Sequence, residues 1–465
     1  MRSILFVFII IAVLSSCKSP AKKTERTSPL KEYVMAEDDA FRYTIVDIFE
    51  GETWTEFIVK MISGTWLTDQ EVDETEWWHR LNIIVPDQTR ETESMMIIGR
   101  GTRYDTIAQP SEVWLKEKAL KTGSIISHIS NIPFQPIDFK GDKKGERYED
   151  DLIAYGWSQF LEGGAKEEDV EWLSRLPMTR AVVRAMDVVQ EISSSLQKPV
   201  QSFFVTGASK RGWTTWTTAA VDDRVIGIAP IVIDLLNIIP SFQHHWQCYG
   251  EWSPAINDYV NEGIMDRMYT EEFEILLEMV EPYSFVDELT MPKLLINAAS
   301  DEFFLNDSWK FYWNDLKGDS YLQYIPNAGH GLNGTYQPVN LISFYHAVIT
   351  DNRIPEFRWN ISNDAIYMQI DPESDYNISK WEVINETARD FRIYVIGESW
   401  YKEELNKEID GIYEINISKP DSGYKAALLE VIFNPDSDFP LTFTSGTLVT
   451  PDQYSFDLFK PDSPQ

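Results

Sequence analysis

The sequence predicts an α/β fold: a mostly parallel sheet covered by helices, broken by a helical insertion and followed by an all-β unit. Three observations carry this. Apolar runs alternate with helix-period segments between residues 94 and 235. An aromatic, helix-patterned stretch then separates two of the apolar runs. Past residue 352 the chain changes to short β-rich runs divided by Asn, Asp, Pro and Gly.

The elements follow in order. Residues 1–16 read as a secretory signal, because one arginine precedes an apolar run from Ile4 to Leu14 that is too short to span a bilayer. Leu14-Ser15-Ser16-Cys17 resembles the bacterial lipobox, so Cys17 is expected to carry the lipid and to anchor the chain at the membrane. This implies a lipid-anchored lipoprotein of the bacterial cell envelope, in the periplasm or at the outer membrane. Residues 17–32 are polar and suit a tether. With Cys17 acylated, Cys248 has no disulfide partner and reads as a buried small hydrophobe. No second cysteine near Cys248 supports a metal site, and no cofactor is expected.

One α/β unit is expected over residues 33–351. "FIVKMISGTWL" and "WWHRLNIIVP" read as strands, as do "SMMIIGRG" and "GSIISHIS". "TRAVVRAMDVVQEISSSL" reads as a crossover helix. The strand "SFFVTG", a helix from Lys210 and the strand "VIGIAPIVID" complete a parallel pattern. The insertion, at about 241–290, looks like a cap over the C-terminal edge of the sheet. "KLLINAAS", a helix at "SWKFYWNDL", the strand "YLQYIP" and the helix "PVNLISFYHAVIT" follow. About seven strands over residues 352–465, with "FRIYVIGESWY" among them, predict a β-sandwich of immunoglobulin-like size.

Charge narrows the partners. The chain has 41 Lys and Arg against 74 Asp and Glu, a net charge of -33, which would repel a phosphate backbone and excludes nucleic acid.

The chemistry centres on "FFVTGASKRGW", where a strand runs through a glycine and a serine into a helix. A serine hydroxyl needs a base to take its proton and a carboxylate to orient that base. Ser209, Asp301 and His330 each follow an apolar strand, in the order serine, acid, histidine, where catalytic groups gather at strand ends. Asp234 also ends a strand and is the competing acid. Glu302 is adjacent to Asp301 but would point elsewhere. His79, His128 and His346 read as structural. An oxyanion hole would draw on the Lys210 N–H and on the loop at Gly99 or Arg100. Arg211 stands where the Gly-x-Ser-x-Gly pattern has its second glycine. It either pairs a buried acid such as Asp222 or Asp223, or binds an anionic substrate group. His244, His245 and Trp252, in the insertion, are candidates to line the pocket.

These motifs resemble the PhoPQ-activated pathogenicity-related proteins. The resemblance lies in "GASKRGWTTWTTAAVDDRV", "MISGTWLTDQEVDETEWWHRLNIIVP", "YGEWSPAINDYVNEGI", "LLINAASDEFFLNDSWKFYWNDLKG" and "IPNAGHGL", which span most of residues 35–350. It implies an α/β-hydrolase fold with a C-terminal β-sandwich, and Ser209, Asp301 and His330 match the family's presumed triad. The early strand departs from the pattern, reading Gly99-Arg100-Gly101 in place of a glycine pair and a small residue. The implied activity is hydrolysis of an ester or amide in a small-molecule, peptide or glycan-ester substrate. A non-catalytic binding protein and an esterase of glucuronoyl type are the alternatives. In the latter an anionic sugar would meet Lys210 or Arg211.

Overall fold

A nine-stranded sheet forms the centre of the computed structural model, which describes residues 28–332, 334–335, 337–350 and 352–461. The expected signal segment and Cys17 lie outside the described residues. No described helix is long and apolar enough to cross a membrane.

The strands are β1 (Arg42–Glu50), β2 (Trp54–Thr65), β3 (Glu76–Pro86), β4 (Glu93–Ile98), β5 (Ile125–Ile129), β6 (Ser202–Ala208), β7 (Val225–Ile231), β8 (Lys293–Ala298) and β9 (Ser320–Ile325). Their order across the sheet is β1-β2-β3-β5-β4-β6-β7-β8-β9. The pairs from β1 to β5 are antiparallel, and from β5 onward every pair is parallel. Parallel strands are buried on both faces, which is why β6 reads as a continuous apolar run. Phe203 and Val205 enter one apolar cluster and Phe204 enters the other.

The main helices are α1 (Pro29–Met35), α2 (Val113–Thr122), α3 (Glu149–Gly163), α4 (Arg175–Ser195), α5 (Lys210–Val221), α6 (Ile238–Tyr249), α7 (Glu271–Val280) and α8 (Gln337–Ile349). The first apolar cluster takes in α4 and α5, the second α2 and α8. The insertion between β7 and β8 is helical, with α6 and α7 joined by short turns. Thr270 caps α7 by accepting from Phe273 N at 3.3 Å, and three glutamates in the first turn suit the positive end of the helix dipole.

The C-terminal chain carries β10 (Phe357–Ser362), β11 (Ala365–Ile370), β12 (Tyr376–Asn385), β13 (Tyr401–Glu404), β14 (Ile412–Asn416), β15 (Tyr424–Phe433), β16 (Leu441–Thr444) and β17 (Leu448–Thr450). They form two antiparallel sheets, β10-β11-β14 and β13-β12-β15-β16, with β17 on β15. Asn363 and Asp364 both take positive φ, 51° and 57°, and close the β10–β11 hairpin as a primed turn requires. The inner faces share a core through Ile366, Met368, Leu429 and Val431.

Three expectations change. The run 391–401 is not one strand. Ile393–Ile396 is a single helical turn, because Ile393 N donates to Ser300 O at 2.9 Å and ties this stretch to the loop after β8. "SWKFYWNDL" forms two separate 3-10 turns, because Trp309 Nε1 reaches Thr447 O at 3.0 Å while the Tyr312 hydroxyl reaches Asp234 at 2.5 Å. The third concerns the list of elements, to which the structure adds the edge strand β1 and the helices α1, α2 and α3.

The two units meet along the open edge of the large sheet. Tyr324 N on β9 donates to Thr444 Oγ1 at 3.0 Å. Asn340 on α8 donates to Thr442 O and accepts from Thr442 N, both at 2.8 Å. An unpaired strand edge invites aggregation, and β16 covers it. A buried ionic cluster adds a second junction. Asp307 meets His244 Nε2 at 2.7 Å, Lys310 Nζ at 2.9 Å and Arg389 Nη2 at 2.6 Å. Burial alone would raise the Asp307 carboxyl, but His244, Lys310 and Arg389 overcome it and hold the group well below its usual range.

Asp307→Asn leaves Arg389 buried without a buried carboxylate, so we expect a loss of about 3–5 kcal/mol in chemical denaturation. Because the folded pKa is depressed, the difference between wild type and variant is full above the ordinary value of 3.8 and shrinks as pH falls below it. A pH-independent difference, or none, contradicts this.

Candidate active site

The turn between β6 and α5 places Ser209 at φ 58°, ψ -125°, a strained conformation for a residue with a side chain. Such a turn presents the serine hydroxyl at the strand end. It also demands close approach. A Cβ on Gly207 would sit 2.7 Å from Arg211 O, and one on Gly212 would sit 2.8 Å from Ile233 Cγ2 and 3.0 Å from Ile231 O. Position 212, not 211, is therefore where the helix presses on the sheet, and the glycine displaced from the usual pattern has its reason.

Arg211 points away from that contact. Its Nε donates to Ile132 O at 2.5 Å and its Nη2 meets Glu149 Oε1 at 2.6 Å. The expected partners, Asp222 and Asp223, are replaced by Glu149. Asp222 lies at the far end of α5, about 16 Å along the helix, and pairs Arg224 at 2.6 Å. Lys210 Nζ lies 2.9 Å from both Glu149 and Asp150. Burial opposes ionisation of Glu149, but Arg211 and then Lys210 outweigh it and bring its carboxyl to about 2.

Asp301 follows β8 and His330 follows β9. His330 Nδ1 lies 2.9 Å and 3.1 Å from the two Asp301 oxygens. Asp301 Oδ1 also accepts from Phe303 N at 2.7 Å, which fixes the carboxylate. Glu302 turns to the same loop and accepts from His330 N at 2.6 Å, a contact the sequence did not reveal. The Phe303 ring backs the imidazole at 4.2 Å. His330 Nε2 is buried and has no hydrogen-bond partner among the described residues. A base in an unliganded site often tightens onto its partner only when substrate binds.

The competing acid is placed elsewhere. Asp234 accepts hydrogen bonds from the Tyr312 and Tyr324 hydroxyls, and burial pushes its carboxyl up to about 7. Among the other histidines, His79 is held by Ser63 Oγ at 2.9 Å and Asn131 O at 3.1 Å, and His346 stacks on Phe439 at 3.7 Å. His128 sits where a Cβ on Gly99 would strike it.

For the oxyanion site, the first helical bond of α5 is Trp213 N to Ser209 O at 3.0 Å, so Lys210 N–H is left without a backbone acceptor. Gly99 N–H is committed to Ile129 O at 2.7 Å. Arg100 N–H has no such partner and is the second candidate donor.

The pocket at Ser209 is walled by Trp157, Trp213, Phe242 and Phe303, with Asp150, Arg175 and Lys210 as polar members. His244, His245 and Trp252 are not on this wall. His244 belongs to the Asp307 cluster. His245 Nε2 accepts from Ser253 N at 3.0 Å, and Trp252 packs on Trp246 and Phe459. The insertion shapes the pocket through Phe242, which lies about 200° around α6 from His244 at 3.6 residues per turn.

Residues 389–400 of the C-terminal chain bridge the loops that carry Asp301 and His330. Trp400 Nε1 donates to Ser300 Oγ at 3.0 Å, next to Asp301. Trp400 O accepts from Asn327 Nδ2 at 3.0 Å and Trp400 N donates to Asn327 Oδ1 at 2.8 Å, three residues before His330.

Comparison with known proteins gives the chain its relatives. Autocrine proliferation repressor protein A of Dictyostelium discoideum is 36% identical over an alignment of 458 positions that covers 92% of each chain. An acetyl xylan esterase from Paenibacillus sp. R4 superposes with a TM-score of 0.48 at 12% identity, over 69% of this chain and 92% of that one. A glucuronoyl esterase from Solibacter usitatus superposes with a TM-score of 0.39 at 14% identity, over 63% and 83%. The model of the PhoPQ-activated pathogenicity-related protein family matches residues 30–392. The chain belongs to the family of PhoPQ-activated pathogenicity-related proteins.

Proposed function

We propose that this protein is an extracytoplasmic serine hydrolase that cleaves an ester or amide through an acyl-enzyme on Ser209. The observation that carries the reading is the Asp301–His330 pair with its open Nε2, set at the same sheet edge as a strained, helix-opening serine. Ser209 Oγ attacks the substrate carbonyl and gives its proton to His330 Nε2. Asp301 holds Nδ1–H and stabilises the imidazolium. The N–H groups of Lys210 and Arg100 receive the oxyanion. His330 then returns the proton to the leaving group, and water repeats the sequence to free the acid.

The substrate is a small molecule, a peptide or a glycan ester. An anionic sugar would find Lys210 and Arg211 already paired with Glu149 and Asp150, so the glucuronate reading loses the contact that motivated it. We read residues 352–465 as an immunoglobulin-like sandwich and Cys17 as the lipid attachment site.

A fluorophosphonate probe is expected to label the purified protein and to leave Ser209→Ala unlabelled. Asp301→Asn should lower kcat/KM by on the order of 10³-fold or more, while Asp234→Asn stays within a few-fold of wild type. The reverse ranking of the two aspartates would move the acid to Asp234. Trp400→Phe keeps an aromatic side chain and removes the bond to Ser300, so kcat should fall roughly 10- to 100-fold with KM little changed. A rise in KM alone would remove Trp400 from the positioning of Asp301. Metabolic labelling with an alkyne fatty acid should tag the wild type and not Cys17→Ser, which should leave the membrane fraction. Labelling of both would place the acyl group elsewhere.

A further inference from the structure

The pocket beside Ser209 holds a cation without a counter-charge. Arg175 is 3% exposed and lines the same pocket as Ser209. Its guanidinium lies 4.0 Å from the Trp213 ring and 5.9 Å from that of Trp157. Its polar contacts are long, Nη1 to Lys210 O at 3.4 Å and Nη2 to the Tyr259 hydroxyl at 3.5 Å. Its Nε has no partner. Among the described residues no carboxylate lies within 4.0 Å of it.

Asp150 is on the same wall but already engaged. It meets Lys210 Nζ at 2.9 Å and accepts from the Tyr259 hydroxyl at 3.0 Å. Glu149 is shared by Lys210 and Arg211. Arg175, Lys210 and Arg211 thus face only two carboxylates, and the unmatched cation is the one against the tryptophans. A ring face attracts a cation more weakly than a carboxylate does. Buried charge is rarely left unpaired, and burial here disfavours the charged form.

We propose that this pocket takes an acyl group bearing a second carboxylate, and that Arg175 receives it. The proposal rests on the reading of Ser209 as nucleophile. Arg175 touches Lys210 O, on the elbow side of the pocket, whereas Phe303 against His330 marks the side where the leaving group takes its proton. The acyl part therefore faces Arg175. The apolar walls suit a methylene spacer, and a cavity of about 40 Å³ keeps it short. The substrate class is a monoester or monoamide of a short dicarboxylic acid. Hydrolysis forms the Ser209 Oγ–acyl bond as the bond to the alcohol or amine breaks, and water then releases the dicarboxylate.

The test times fluorophosphonate labelling of the purified protein with succinate or butyrate as competitor. The two share the carboxylate that would sit at Ser209 and differ in the distal one. Succinate is expected to halve the labelling rate at a concentration about tenfold lower than butyrate. The gap should close in Arg175→Met and persist in part in Arg175→Lys. Equal protection by both acids, or protection by neither, in the wild type overturns the carboxylate pocket without depending on any variant. A gap that survives in Arg175→Met removes the role from Arg175. No labelling of Ser209 in the absence of competitor overturns the serine reading, and this proposal with it.

Discussion

The turn at Ser209 is the constraint on which the site is built. A serine at φ 58° is held only if the surrounding structure fixes the backbone on both sides. The β6 side is fixed by parallel ladders to β4 and β7. The helix side is fixed by burial, since every residue of α5 except Ala220 is buried. That explains the threonines of "WTTWTTAAV". Thr214, Thr215 and Thr218 return their hydroxyls to the carbonyl four residues back, at 3.0, 3.0 and 2.7 Å, so polar side chains sit inside without unmet bonds. It also explains why the helix opens on two cations, against the sense of its dipole. Lys210 and Arg211 are tolerated there because Glu149 and Asp150, at the start of α3, are brought across to meet them.

That pairing marks the boundary of what the sequence reveals. The placement of Ser209, Asp301 and His330 at strand ends was legible because each follows an apolar run, and buried parallel strands announce themselves by composition. Arg211 was legible as a paired cation, but its partner was not. Asp222 is near in sequence and far along a helix, while Glu149 is far in sequence and adjacent in space. The pocket residues failed for a related reason. An aromatic, histidine-rich helix shows many candidates, and only its rotation about its own axis decides that Phe242 faces Ser209 and His244 does not. β1 escaped notice because it is an edge strand with most residues exposed, so no apolar run declares it. The stretch 391–401 has strand-like composition, yet Ile393 and Trp400 are tied by hydrogen bonds to Ser300 and Asn327 instead of to a sheet neighbour.

Those contacts change how the C-terminal unit should be regarded. Catalytic loops at a sheet edge are the least restrained part of an α/β fold, since each is anchored only at its strand end. Here Ser300 and Asn327 precede the acid and the histidine, and Trp400 holds both. Arg389 reaches Asp307, six residues beyond Asp301, and closes the same loop from its other side. Glu302 then binds the His330 backbone directly, so the two loops restrain each other. The match to the family extends to residue 392, well past the last helix packed on the large sheet at Ile349. It therefore takes in Arg389.

Three cations near Ser209 now separate by physical criterion rather than by position in a motif. Lys210 and Arg211 adjoin the serine in sequence and invite a substrate role, but both are spent on Glu149 and Asp150. Arg175 lies 34 residues earlier, on another helix, and no motif points to it. Its long contacts and unpartnered Nε leave it, among the described residues, the member of this network with tryptophan rings and no carboxylate within 4.0 Å against its charge. A buried guanidinium in that state is costly unless something else supplies the acceptor. Sequence adjacency to a nucleophile is thus a poor guide to which cation reads the substrate. Unmet hydrogen-bonding capacity on the pocket wall is the better one.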